Sequence, residues 1–383
     1  MTARHFRRLS IATALALWFA APVAVAQIDP RTALLERAGW DALAAGQARS
    51  AAESFRAALA ADPRNARLHL GAGLAAYLER RDGDARMELE RALELDPKLT
   101  DARGPLAQVQ YRMGDVLTAI STLERASADA PDDNANKAAR ATLERWRREV
   151  ELHGRMQQAI GSHFTVSFEG PAEEELASEA LASLDRAYWR IGAILGSFPT
   201  AAVPVVLYTT EQFRDITRSP SWAAGAYDGT IRVPMRGAFE NRRELDRVLA
   251  HEFTHALVRT LGAPGAAAAL PTPPAARGVP TWLNEGLASA LEADDLTWAE
   301  ARAHDARAQV PLQALQSGFS RLDGAQAQLA YATSALAVRR MLDEAGGAAV
   351  ANLLRDLGEG VEFEAAFLHR MQRSFADFQA RGF

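Results

Sequence analysis

Residues 244–260 read ELDRVLAHEFTHALVRT, and inside them stands the run His251-Glu252-Phe253-Thr254-His255. On a helix, positions i and i+4 share a face, so both imidazoles can hold one ion while Glu252 lies beside a water on that ion. Leu245, Val248, Leu249, Phe253, Ala256 and Leu257 recur at helical spacing, and neither proline nor glycine interrupts before Gly262. The spacing therefore predicts a buried or half-buried helix with two histidines on one side. Two core histidines on an ordinary amphipathic helix satisfy the same pattern, so a third ligand downstream has to decide.

Pro280-Thr281-Trp282-Leu283-Asn284-Glu285-Gly286-Leu287-Ala288 begins a second short helical segment, on which Glu285 is the acidic residue best placed to face the first. A carboxylate there completes a His, His, Glu set and leaves a fourth zinc position open to water. The longer metzincin pattern fails, because it wants Gly and His where Val258 and Leu261 stand.

HEFTHALV followed by WLNEGLASA resembles the gluzincin peptidases, and more closely the bacterial peptidase-MA-like domains often found behind tetratricopeptide repeats. The resemblance covers roughly residues 160–383. It implies zinc on His251, His255 and Glu285, with Glu252 as general base in peptide hydrolysis. Tyr331, in Ala330-Tyr331-Ala332-Thr333-Ser334, matches a tyrosine found in many members of the family and is expected to open a downstream helix with its hydroxyl over the zinc. His304 is the lesser candidate for that role, while His163 and His369 have no partner spacing and read as structural.

Two departures from the family pattern stand out. Ser289 occupies the position where thermolysin-like gluzincins place an acidic residue to orient a histidine, so support for the ligands must be weaker or come from elsewhere. The segment from Gly262 to Pro280, GAPGAAAALPTPPAARGVP, lengthens the separation between His255 and Glu285 and reads as a tolerated loop insertion or, as the alternative, a cover over the cleft.

At 383 residues with 48% hydrophobic, the chain can bury ample core and is expected to form two domains. Arg4, Arg7 and Arg8, then Ile11 to Ala20, then Ala24-Val25-Ala26 before Gln27, form the three zones of a secretory signal peptide, with cleavage expected after Ala26. The expectation is an exported protein, periplasmic or secreted, with no stable membrane anchor after cleavage. Absence of cysteine excludes a lipoprotein anchor, disulfides and cysteine-ligated metals. Removing the three signal arginines takes the formal charge from -5 to -8, which gives no reason to expect nucleic acid as a partner.

Before the metal motif the chain repeats itself. Prolines at 63, 97 and 131 lie 34 residues apart, the tetratricopeptide period. In phase with them recur Gly39, Gly73 and Ala107; Ala51, Ala85 and Ala119; Phe55, Leu89 and Leu123; and Ala58, Ala92 and Ala126. Small residues let paired helices approach, the large one fills the gap, and proline ends each second helix. Such a stack offers a groove for a peptide or protein partner, or serves as a spacer; Arg64, Arg67 and His69 are candidates for lining it.

The expected organisation is a signal peptide at 1–26, repeats at 27–135, a capping helix at 136–160 and a zinc domain at 161–383. In that last domain residues 164–168 and 203–208 read as strands, 172–195 as a long amphipathic helix, and 226–234 as a hairpin turning at Asp228-Gly229. The gluzincin resemblance implies that a sheet edge beside the metal receives extended substrate by strand addition, with 226–233 the expected edge, while a plain core hairpin satisfies the same residues. Helices are expected at 297–308, 325–344, 348–357 and 363–379. The whole is α+β: an all-α repeat stack, then a gluzincin-like domain with a small mixed sheet and a helical C-terminal lobe. Three functions remain open at this point: a zinc metallopeptidase acting on proteins or peptides, a weak or inactive pseudopeptidase in which the repeats bind or scaffold, and a zinc hydrolase of a non-peptide amide.

Overall fold

The computed structural model describes residues 30–128, 134–219, 224–235, 241–263, 278–306, 310–316, 318–319 and 322–382. The expected signal peptide, Pro131 of the third repeat and most of the 262–280 insertion lie outside the described residues.

Helices pair as α1 (Pro30–Ala44) with α2 (Ala48–Ala61), α3 (Ala66–Leu78) with α4 (Asp82–Leu95), and α5 (Arg103–Arg112) with α6 (Val116–Ala128). Phe55 and Leu89 are the fully buried fillers that the repeat pattern predicts. A methyl built on Gly39 would sit 2.7 Å from the Phe55 ring, and one on Gly73 would sit 2.7 Å from Leu89, so these close contacts tolerate no side chain. Arg67 bonds Glu36 and His69 bonds Glu88, which ties two of the three candidate groove residues to neighbouring helices.

Helix α7 (Asn134–Arg155) caps the stack by burying Leu143 and Trp146, with Trp146 stacked on Tyr111 at 4.5 Å. It stops earlier than the sequence suggests. Residues 157–160, expected as its last turn, form strand β1 (Gln157–Ile160), antiparallel to β2 (Phe164–Phe168). Three of its four side chains are exposed, so no alternation of apolar and polar residues announced a strand; backbone pairing across a short turn fixes it.

The five-stranded sheet runs β1-β2-β3-β5-β4, with β3 (Val203–Tyr208), β4 (Ala226–Tyr227) and β5 (Ile231–Pro234). Its inner strands β2, β3 and β5 are parallel and its two edge strands antiparallel, the expected mixed sheet. Val203, Val205 and Leu207 point into the main core, whereas Val206 and Tyr208 join a second cluster with Leu152 of α7 and Phe213 and Ile216 of α9 (Thr210–Thr217). Burial on both faces explains why this strand is apolar almost throughout. Helices α8 (Glu174–Leu195) and α10 (Arg242–Leu261) cover the main-core side, where Phe253 meets Phe164 edge-on at 5.5 Å. Phe253 lies between the two motif histidines, so this contact anchors the helix that carries them.

The helical lobe comprises α11 (Thr281–Leu291), α12 (Thr297–Ala306), α13 (Gly324–Ala345), α14 (Gly347–Gly358), α15 (Phe363–Met371) and α16 (Phe375–Ala380). The single helix expected over 363–379 is broken. Gln372 takes a left-handed φ of 52°, and Ser374 then caps the new helix by accepting from the Asp377 amide at 3.0 Å. Helices α11 and α13 touch so closely that a methyl on Gly286 would lie 2.5 Å from the Ser334 carbonyl. Among the described residues no helix is long and apolar enough to cross a membrane.

Candidate metal centre

Helix α10 sets His251 and His255 one turn apart with their rings nearly perpendicular, 4.9 Å between centroids. Helix α11 brings Glu285 against them: its Oε2 lies 3.8 Å from His251 Nε2 and 3.7 Å from His255 Nε2. One donor atom from each of the three falls within 4.8 Å of the others. All three residues of the expected ligand set are thus together, and both histidines present the same ring nitrogen.

Hydrogen bonds to the opposite nitrogens hold that presentation. His251 Nδ1 lies 2.7 Å from Glu292 Oε2, and His255 Nδ1 lies 3.1 Å from Asn284 Oδ1. Glu292 is itself gripped by Arg247, whose Nη1 donates to its Oε1 at 2.8 Å while the same guanidinium donates twice to Glu244. The sequence reading missed Asn284 and Glu292. Ser289 is buried beside the site, and the acidic support it lacks comes from a residue further along the same face. Seven residues separate Glu285 from Glu292, two helical turns, and the Glu292 backbone remains helical (φ -69°, ψ -29°).

Glu252 is 5% exposed, and among the described residues its Oε2 has no hydrogen-bond partner. A methyl on Gly225 would come within 2.5 Å of the other oxygen, Oε1, so the loop before β4 leaves room for the carboxylate only by lacking a side chain. Burial pushes the Glu252 carboxyl above the ordinary carboxylate range, against the pull of the two histidines. Burial acts the same way on Glu285, but there His255 and His251, with Tyr331 beside them, outweigh it and hold the carboxyl low. For His251 burial disfavours the charged ring, yet the Glu285 carboxylate close by and the hydrogen bond to Glu292 prevail and raise its pKa to about 10.

Tyr331 is in the site, half-buried and edge-on to Phe319 at 5.0 Å, and lines the cleft together with Glu285. It does not open a helix as expected; α13 begins at Gly324, and Tyr331 lies well inside it. Burial, then the nearby Glu285 and Glu252 charges, push its phenol upward. His304 is exposed on α12 and does not line the cleft, His163 stacks on Tyr188 at 3.8 Å, and His369 is exposed on α15.

The cluster opens on a cleft of about 1050 Å³. Ala226 and Tyr227 of the edge strand β4 form one side, Trp298 and Arg302 of α12 with Gln328 and Tyr331 of α13 form another, and Arg80 reaches in from the turn between α3 and α4. A buried carboxylate beside two imidazoles and a second carboxylate that could share a metal ion with them, opening on such a cleft, defines a metallopeptidase-like site.

Comparison with known families agrees. Residues 186–375 match the model of the Peptidase MA superfamily, and residues 79–143 match that of the tetratricopeptide repeat. The chain therefore carries a Peptidase MA superfamily domain behind tetratricopeptide repeats, a peptidase-like hydrolase joined to a protein-interaction module. No curated protein matches it.

Proposed function

We propose that this protein is an exported, zinc-dependent peptidase. The observation that carries the reading is the convergence of His251 Nε2 and His255 Nε2 on the Glu285 carboxylate, with the buried Glu252 carboxylate beside them. Two imidazoles and one carboxylate, their outer nitrogens already hydrogen-bonded, are a donor set that suits zinc in a catalytic site. His251, His255 and Glu285 would hold the ion. When bound, it would polarise a scissile carbonyl and make a water more acidic.

The remaining chemistry belongs to side chains of this chain. Glu252, with one oxygen unpartnered and a raised pKa, is placed to take a proton from the attacking water and pass it to the leaving amine. Tyr331, through its protonated phenol, offers a donor to the oxyanion that develops on the carbonyl. The β4 edge supplies backbone groups to which an extended peptide can add as a strand. Export rests on the charged, apolar and small-residue zones of residues 1–26. The repeats are proposed to recruit a protein partner.

Comparing zinc-loaded wild type with Glu252→Gln on a broad peptide library tests this reading. The variant is expected to keep its zinc and lose roughly a hundred- to ten-thousandfold in cleavage rate. Identical cleavage by the two proteins would remove Glu252 from the mechanism, and no cleavage by wild type would leave an inert zinc fold in service of the repeats.

A further inference from the structure

One wall of the cleft comes from outside the peptidase domain. Arg80 stands in the turn between α3 and α4 of the second repeat, exposed and in the left-handed region at φ 58°, a conformation that L residues with side chains seldom adopt. Its neighbour Arg81 ties the turn down, bonding Glu79 at 2.8 Å and Asp84 at 2.5 Å. Among the described residues no carboxylate pairs with the Arg80 guanidinium, which nonetheless lines the same cleft as the metal cluster.

Arg302 lines the cleft from α12. Its Nη2 donates to the Ala325 carbonyl at 3.0 Å, and its buried Nε has no partner among the described residues. A backbone carbonyl orients this guanidinium without neutralising it. Arg247, by contrast, is committed to Glu244 and Glu292. The cleft's carboxylates, Glu252, Glu285 and Glu292, all belong to the metal cluster, so none is left for Arg80 or Arg302. Trp298, 39% exposed, stands one helical turn before Arg302 on the same face of α12 and offers a flat apolar surface beside the charge.

We propose that Arg80 and Arg302 form a carboxylate-reading subsite, so that the protein selects acidic peptides and draws part of its specificity from the repeat stack. The proposal rests on the peptidase reading for the nature of the ligand. The carboxylate can come from an Asp or Glu side chain or from a peptide C-terminus. Guanidinium groups suit both, because paired N–H donors match the two oxygens of a carboxylate.

The test uses the full chain, zinc-loaded, as Glu252→Gln, with fluorescence anisotropy reading the binding of labelled peptides. The peptides form a scanning set in which Asp or its isostere Asn occupies each position in turn, each made with a free and with an amidated C-terminus. Tighter binding by about tenfold for the carboxylate-bearing member of a pair is expected. A difference between Asp and Asn locates the recognised group on a side chain, and one between free and amidated ends locates it at the terminus. Adding Arg80→Ala should bring the ratio close to one, and Arg80→Glu should reverse it; Arg80 is exposed, so neither change threatens the fold. Equal binding of charged and neutral members, no binding at all, or a preference that survives Arg80→Glu overturns the subsite. Cleavage by the Glu252 parent separates the two readings: acidic peptides bound but never cut sink the peptidase and leave the subsite, while neutral and acidic peptides cut alike sink the subsite and leave the peptidase.

Discussion

Glu292 does for His251 what the residue one turn after Glu285 leaves undone. A charged acceptor on Nδ1 fixes which nitrogen faces the ion and raises the basicity of the ring. Its own second oxygen is held by Arg247, so the histidine's orientation is set by a chain of charged groups that begins at Glu244 on the first turn of α10. Glu292→Gln keeps the shape and removes the charge. We expect zinc affinity to fall about ten- to a hundredfold, measured by competition with a chromophoric chelator; unchanged affinity would show that Glu292 only packs there. The proposed histidine ligands were legible because i, i+4 spacing is a local fact that any helix obeys. Glu292 shares the face of Glu285 by the same periodicity, two turns on, but whether the backbone is still helical at that point depends on packing and not on spacing. Asn284 was hidden differently: its amide meets His255 only because α10 and α11 pack against each other there, which spacing within either helix does not reveal.

At the scale of elements, Gly286 sets where Glu285 sits. The glycine face of α11 lies flush on α13, which brings Glu285 level with Tyr331, three residues before the Ser334 carbonyl that Gly286 nearly touches. In Gly286→Ala the new methyl meets backbone, which cannot swing aside, so the helices must part. A loss of about 1–3 kcal/mol in urea unfolding is expected, as for other overpacked cores. Zinc affinity should fall with it, because the shift moves one proposed ligand relative to the other two; a destabilised protein that binds zinc normally would place the strain elsewhere. Long amphipathic helices and the buried strand β3 were readable because their patterns repeat over many residues. The exposed strand β1 and the break at Gln372 were not. Both depend on a few residues whose fate is decided by pairing and capping, interactions too short to leave a periodic trace.

Across the whole molecule, the repeat stack and the peptidase domain meet through buried polar groups. Tyr111 of α5 donates to Glu149 of α7 at 2.5 Å, and Arg232 of β5 donates to the other Glu149 oxygen at 2.7 Å and to Asp228 of the hairpin at 3.0 Å. Glu149 is 1% exposed and Arg232 6%, a pair that neither domain could leave buried without the other. The hairpin so anchored ends in β4, one side of the cleft, and the Asp228 carbonyl also accepts from Arg259 of α10 at 3.0 Å. No sequence pattern foretold this junction, because its members lie on four elements and the hairpin turn, and each reads locally as an ordinary helix, strand or turn residue.

The junction also contains a titratable acceptor. Arg232 Nη1 donates to the Tyr208 hydroxyl at 2.7 Å, which leaves the phenolic proton free to donate to His153 Nε2 at 2.6 Å. That arrangement requires a neutral imidazole, since a protonated ring has no lone pair to offer. Burial lowers the His153 pKa from 6.5, against the opposing pull of Glu149. The folded ring thus stays neutral where the unfolded one has already taken a proton, so the unfolded chain binds more protons in that window. Stability from this group is fully present above about pH 6.5 and is lost as pH falls below it, by at most about 1.4 kcal/mol per pH unit. His153→Gln retains an acceptor for Tyr208 and cannot titrate. Urea midpoints of wild type and variant, compared step by step from about pH 7 to pH 5, cancel the contributions of all other groups. The gap should move in favour of the glutamine protein as the pH drops. A gap that stays constant would mean that His153 takes up its proton over the same pH range in the folded protein as in the unfolded chain, so that Tyr208 does not hold it neutral.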